Sequence, residues 1–226
     1  MELTEAMRTT PATREFLDEP VPDEVLYAIL DDARFAPNGG NRQSWKVIVV
    51  RDEATKQRLG ELYLLGGREY VAHHEAGLVP FQASKAGNTA PPAIDLAAAR
   101  ARTDLPVEAF DHIASAPVLL VVLLDLENVS AVDTGLGRLP LTAAMSVYPF
   151  CHNILLGARQ RGYGGVVTSL LSRSEPEVRE LLGIPDNFVL ATLIPLGRPV
   201  KVITKLRREP VESFAVLERF DGKPLS

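Results

Sequence analysis

Apolar residues recur at helical spacing between Asp23 and Phe35, where Val25, Leu26, Ile29, Leu30 and Ala33 form one stripe. That rhythm predicts an amphipathic helix. The breaker Asp18–Pro22 precedes it, with Pro22 suited to the first helical position, and Pro37 and the following glycines end it. Leu3–Arg8 predicts a short helix upstream, β-branched content predicts a strand over Trp45–Val50, and Asp52 is placed to cap a helix reaching about Leu65. The longest aliphatic run, Val118–Leu124, is far shorter than the ~20 residues of a membrane helix and predicts a strand buried on both faces. Downstream, a loop over Glu127–Pro140 leads to a long helix over Leu141–Arg161, with Met145, Tyr148, His152 and Leu155 on its apolar face. Gly162–Gly165 then turns the chain into a strand, VVTSL. Ser174-Glu175-Pro176-Glu177 reads as a capping box opening a short helix that stops at Gly183, and Phe188–Leu196 is the last strand.

Residues 66–112 break the rhythm. They mix turn residues with scattered apolar ones, and an excursion of that length is a lid, a substrate wall or a partly disordered segment. There is no internal repeat and no sharp change of composition, so a single domain over 1–226 is expected. A hydrophobic content of 46% supports a real core, while a net charge of −5 argues against nucleic acid as the main partner. The lone Cys151 fits a reducing compartment and is expected to be a small buried residue. The opening MELTEAMRTT carries no apolar signal core, so a cytoplasmic protein with no membrane segment is expected.

Most catalytic patterns fail on inspection. His73-His74-Glu75 are adjacent and point different ways on either a helix or a strand, so no metal site is expected. Cys151-His152 fails as a nucleophile–base pair for the same reason. Gly135-Leu136-Gly137 runs into Arg138, Leu139 and Pro140 rather than opening a helix, and there is neither a phosphate-binding P-loop nor a nucleophile elbow. Basic residues carry more. Arg198, Lys201, Lys205, Arg207 and Arg208 crowd the tail of an acidic chain, and Arg8 and Arg14 flank the hydroxyls of Thr9, Thr10 and Thr13. Guanidinium forks and hydroxyls from two such segments suit a phosphate, whereas alone each cluster is a solvated surface. The stretch FAPNGGNRQSW, residues 35–45, holds more polar groups than a turn needs and closes on the only tryptophan.

Three segments together resemble the nitroreductase family of FMN-dependent NAD(P)H oxidoreductases. Arg14-Glu15-Phe16 followed by DEPVPDEVLYAILDDARFAP looks like the family's opening Arg-x-Phe, Pro-Val-Pro and helix. Pro37-Asn38-Gly39-Gly40-Asn41-Arg42-Gln43-Ser44-Trp45 is similar to its Pro-Ser-x-x-Asn-x-Gln-Pro-Trp loop. Tyr148-Pro149 through NILLGARQRGYGG to LLGIPDNFVLATLIPLGRP resembles its central helix, Gly-x-Gly turn and last strand. The resemblance implies an α+β fold with a mixed β-sheet flanked by helices, an intertwined homodimer, and FMN at the subunit interface.

By position, the resemblance puts Arg14 at the flavin's pyrimidine edge and brings Pro37, Asn38, Gly39, Asn41 and Gln43 from the partner subunit. Thr168, Ser169 and Leu170 would face flavin N5, and Arg207 and Arg208 the phosphate. Thr10-Pro11-Ala12 stands where the family often has Arg-Arg-Ser, which leaves Thr10 and Arg8 as substitute phosphate contacts. Tyr70 and Phe81 would shape a small-molecule substrate pocket, or else pack on the dimer surface. The implied reaction is ping-pong: NADPH or NADH reduces the flavin, which then reduces a nitroaromatic, quinone or enone. No catalytic acid or base is required of the chain, because hydride moves through flavin N5. Alternatives on the same fold are dehalogenation, ring oxidation, flavin fragmentation, or FMN storage with little turnover.

Overall fold

The computed structural model describes residues 1–82, 94–104, 110 and 112–225. Its organising element is the strand β2, Val118–Asp125, whose first seven residues are all buried. Successive strand side chains point to opposite faces, so this run feeds two cores at once. Val118, Leu120, Val122 and Leu124 join one cluster with Leu26 and Ile29 of helix α2 (Asp23–Ala33) and with Phe150 and Ile154 of helix α6 (Val147–Gln160). Leu119, Val121 and Leu123 join the other, with Leu59, Leu62 and Tyr63 of helix α3 (Glu53–Glu75), Ile113 of helix α5 (His112–Ser115) and Val178 of helix α7 (Glu175–Leu182). Each fully buried aliphatic side chain contributes about 1.5–3 kcal/mol. Helices therefore cover both faces of the sheet, and the expected double-sided burial is observed.

The sheet has the order β1-β2-β4-β3, with β1 at Trp45–Val50, β3 at Gly164–Gly165 and β4 at Phe188–Gly197. Every pairing among the described residues is antiparallel. The α+β class is as expected, while the parallel pairing that a mixed sheet requires is not found among these residues. The β2–β4 register shifts between Val122 and Leu123. Such a bulge bends a strand and re-aims its side chains, and this one lies beside Thr192 and the isolated bridge between Thr168 and Leu193.

Several local expectations are corrected. Helix α3 does not stop near Leu65 but continues to Glu75, because Gly66 and Gly67 allow close contact rather than breaking the helix. A Cβ at Gly66 would collide with the Leu170 carbonyl oxygen, and one at Gly67 would lie 3.0 Å from the Phe110 ring. The long helix predicted over Leu141–Arg161 divides into a 3₁₀ turn at Thr142–Met145 and α6. It buries Val147, Phe150, Cys151 and Ile154, while Met145 and Tyr148, expected inside, are exposed. VVTSL is no strand, since only Thr168 bridges to β4 and Leu170–Ser174 forms a 3₁₀ turn. The capping box does not form: Ser174 donates its hydroxyl to the Leu62 carbonyl at 3.1 Å instead. Pro22 immediately precedes α2 rather than opening it. The short upstream helix α1 spans Leu3–Thr9, Asp52 caps α3 through the Thr55 amide, and α7 stops at Gly183 in the left-handed conformation. A further short helix, α4, spans Leu96–Ala101.

Candidate functional site

The N-terminal segment reaches the sheet as an extended strip. The Thr13 amide donates to the Gly165 carbonyl at 3.0 Å, Leu17 to the Arg198 carbonyl at 2.8 Å, and the Val200 amide to the Glu15 carbonyl at 3.1 Å. Gly164 makes this approach feasible, because a Cβ there would come within 2.5 Å of the Thr13 hydroxyl. Alternation along the strip buries Thr13 and leaves Arg14 exposed. Residues 11–15 and the chain leaving β4, at Lys201 and Ile203, enclose a cleft of about 300 Å³. Arg14 has no carboxylate partner among the described residues, so its guanidinium is available to a ligand.

Thr168 lies three residues beyond Gly165 and bridges to β4. Its amide and carbonyl pair with Leu193 at 3.0 and 2.9 Å, and the Thr192 hydroxyl also donates to its carbonyl at 2.8 Å. Its hydroxyl lies 2.6 Å from that of Tyr63, a buried residue of α3. Burial pushes the Tyr63 phenol above its ordinary range, partly offset by the Thr168 bond and by the positive charge of Arg14. That influence places Arg14 within electrostatic reach of the Tyr63–Thr168 pair. Ser169 and Leu170 open the 3₁₀ turn that follows, where the first amides lack partners within the helix. Behind the turn, the buried Glu69 carboxylate binds Arg173 at 2.6 Å and also Arg100, tying the turn to α3 and α4. Such a buried node holds geometry more than it adds stability.

The loop after α2 is built differently. Gly40, Asn41 and Gln43 all have positive φ, at 62°, 52° and 50°, a costly conformation for the two non-glycines. Their neighbours hold them there. Asn38 accepts from the Gln43 amide at 2.9 Å and donates to the Ala36 carbonyl at 3.2 Å, while the Gly39 amide donates to the Ser146 hydroxyl at 3.2 Å. Arg42 donates to Ser130 at 2.7 Å, and Trp45 stacks on Phe150 with centroids 4.6 Å apart, anchoring the loop to the core. Pro37, Asn38, Gly39 and Gly40 line a cavity of about 610 Å³ with Val132, Met145 and Pro149. One of its walls is knotted by Asp133, which accepts from Thr142, Leu141 and Arg138. Those donors, the Thr142 hydroxyl foremost, hold the Asp133 carboxyl well below the usual carboxylate range. Among the described residues, none lines both this cavity and the Arg14 cleft.

The other sequence candidates are scattered. Arg207 and Arg208 lie exposed on the tail, where Arg208 donates to the Arg207 carbonyl, and Lys201 rather than either of them lines the cleft. Thr10 donates its hydroxyl back to the Ala6 carbonyl at 2.7 Å, and Arg8 is exposed. Tyr70 packs on His74 and Phe110 along α3. Phe81 lies against His73 and beneath the Arg173 guanidinium, 5.1 Å from its ring centroid. Residues 83–93, 105–109 and 111 of the proposed lid lie outside the described residues. Cys151 is buried as expected, with its thiol pushed up to about 12 by burial. No cluster of metal-ligating side chains occurs among the described residues, and no described helix is long and apolar enough to cross a membrane.

The model of the nitroreductase family matches residues 7–198, which include Arg14, the 37–43 loop and Thr168–Leu170. The chain belongs to the nitroreductase family. It is 27% identical over 220 residues to an iodotyrosine deiodinase of Nematostella vectensis, covering 96% of this chain and 75% of that one. It is 26% identical over 223 residues to an NADH dehydrogenase of Thermus thermophilus, covering 88% and 87%. Its fold superposes on an NADPH:FMN oxidoreductase of Vibrio harveyi solved with NAD⁺, with TM-score 0.68, 20% identity and coverage of 96% and 77%. The nitroreductase-family residues here suit FMN in kind. Arg14, without a carboxylate partner among the described residues, and Lys201 line one open cleft, and cationic N–H donors of that kind are what a polar flavin edge requires. Sequence reasoning missed Tyr63, and took Lys201 only as one of five basic residues of the tail. The spacing of Leu59, Leu62, Tyr63, Gly66 and Tyr70 continues the α3 stripe past the glycines, and that was the available signal for Tyr63.

Proposed function

We propose that this FMN-dependent oxidoreductase of the nitroreductase family takes electrons from NADPH or NADH and passes them to a small organic acceptor, a nitroaromatic, quinone or enone, in a ping-pong cycle. What supports this reading is the cleft lined by Arg14 and Lys201, with the Arg14 charge also felt at Tyr63, the hydroxyl partner of Thr168. Bound FMN supplies the hydride chemistry. Arg14 would hold the electron-poor pyrimidine edge and favour negative charge there. The Thr168 hydroxyl, fixed by Tyr63, and the amides after it would hold the N5 side. Arg207 and Arg208 would approach the phosphate from the tail, with Arg8 on its other side, while the Thr10 hydroxyl already donates to the Ala6 carbonyl. Pro37, Asn38, Gly39, Asn41 and Gln43 are assigned to the flavin of a second copy, which makes the working unit a homodimer. Tyr70 and Phe81, with the 66–112 excursion of the single domain, are assigned to the substrate wall. A cytoplasmic setting agrees with the lone buried thiol.

A second reading, reductive dehalogenation, is favoured by the deiodinase relative, whose match runs through 96% of this chain. Anaerobic spectra of the purified protein decide between the readings. Bleaching of the flavin bands by NADPH, and their return on adding menadione or nitrofurazone, supports the first. Recovery only with iodotyrosine, with iodide released, supports the second. A protein that takes up no FMN contradicts both.

A further inference from the structure

The N-terminal segment is short of donors for a phosphate. Pro11 has no amide hydrogen and Ala12 no polar side chain. The Thr9 and Thr10 hydroxyls both donate back to the end of α1, to Glu5 at 2.8 Å and Ala6 at 2.7 Å, so they turn lone pairs outward. One half-buried cation sits beside them. Arg159, in the last turn of α6, directs Nε and one terminal nitrogen at the Thr9 hydroxyl, 3.3 and 3.2 Å away. No carboxylate pairs with Arg159 among the described residues, which leaves its other N–H donors without a partner there. Arg159 lines a small hollow with Thr10, Pro11, Thr13 and Pro199, and Pro11 and Thr13 also line the Arg14 cleft. A guanidinium held partly out of water with no counter-ion is a ready site for an anion.

We propose that Arg159 supplies the phosphate-binding cation of the N-terminal side, replacing what Thr10-Pro11-Ala12 cannot provide. The inference rests on the FMN reading above. Its ligand is the terminal phosphate monoester of FMN, held by charge-assisted N–H···O bonds from the face of Arg159 turned away from Thr9.

The test is affinity, with no turnover required. FMN and riboflavin, which differ only in that phosphate, are titrated into flavin-free wild type, Arg159→Gln and Arg159→Lys, and fluorescence quenching is read. Glutamine keeps one donor at the Nε position for Thr9 but removes the terminal nitrogens and the charge. Loss of one charge-assisted contact predicts about tenfold or more weaker FMN binding for Arg159→Gln, with riboflavin changed less than twofold and Arg159→Lys intermediate. Raised salt should weaken FMN in the wild type more than in Arg159→Gln. Equal loss for both ligands, or unchanged FMN affinity whatever the melting temperature, overturns the proposal, and a lowered melting temperature then leaves Arg159 as a structural tie to α1. A wild type that binds neither flavin overturns the FMN reading itself. Should Arg159→Gln fail to fold, the Arg159→Lys ratio of FMN to riboflavin loss decides alone.

Discussion

The Arg14 cleft and the cavity behind the 37–43 loop are lined by different residues and built on opposite principles. On the cleft side the main chain is locked into the sheet: Thr13 to Gly165, Thr168 to Leu193, Leu17 to Arg198. Side chains such as Arg14 are then left over for a ligand. On the loop side the side chains hold the loop itself, since Asn38, Arg42 and Ser146 are all engaged in it and Asn41 and Gln43 are kept at positive φ. What remains there is shape: a glycine-lined backbone and an exposed apolar rim of Val132, Leu141, Met145 and Tyr148. A surface of that kind suits contact with another chain, and the cleft suits a polar small molecule. The proposed homodimer would make use of this division of labour.

Four substitutions probe it. Trp45→Ala removes the stack on Phe150 and should cost about 3 kcal/mol, in line with large aromatic truncations. Denaturant melts should show that loss, and the loop side should fail first, with new protease cleavage near residue 40. Gly66→Ala pushes against the Leu170 carbonyl, which is backbone and cannot swing away. It should cost about 2 kcal/mol and weaken flavin binding while leaving the loop protected. Tyr63→Phe removes the partner of the Thr168 hydroxyl and should cost about 1 kcal/mol. Flavin reduction by NADPH should slow, with affinity little changed.

Asp133→Asn should show its smallest consequences in acid. The folded carboxyl titrates well below its unfolded value of about 3.9. Its contribution is therefore complete above that pH and is lost as pH falls through the folded value. Wild type and variant should differ by a constant amount between pH 5 and 8 and converge only in strong acid, as thermal melts across pH will show.

The sheet was legible because a run of seven consecutive aliphatic residues, Val118–Leu124, has few alternatives to a strand covered on both sides. The helix faces were less so. Met145 and Tyr148 look as apolar in sequence as Phe150, Cys151 and Ile154, and periodicity does not say which of them meet this chain's own core. Gly66-Gly67 looked like a break because the Leu170 turn and Phe110, the neighbours that need the glycines, come from distant sequence. For the same reason Tyr63 and Arg159 escaped notice, since each matters only through a partner more than a hundred residues away. Arg14 and Thr168–Leu170 were singled out through the family's ordered motifs, not through spacing of their own.

The claim that one chain's cleft works with another chain's loop is tested most directly by complementation. Arg14→Ala disables the cleft, and Gly40→Val disables the loop by placing a β-branched residue at φ 62°. Each homodimer alone should retain little FMN. Co-expressed with separate tags and purified together, the mixed dimer contains one site made of an intact cleft and an intact loop. It should recover FMN in about half of its sites and NADPH oxidation to match, as two-fold symmetry requires. A mixed dimer as empty as either parent would contradict the account and confine the flavin to the residues of one chain.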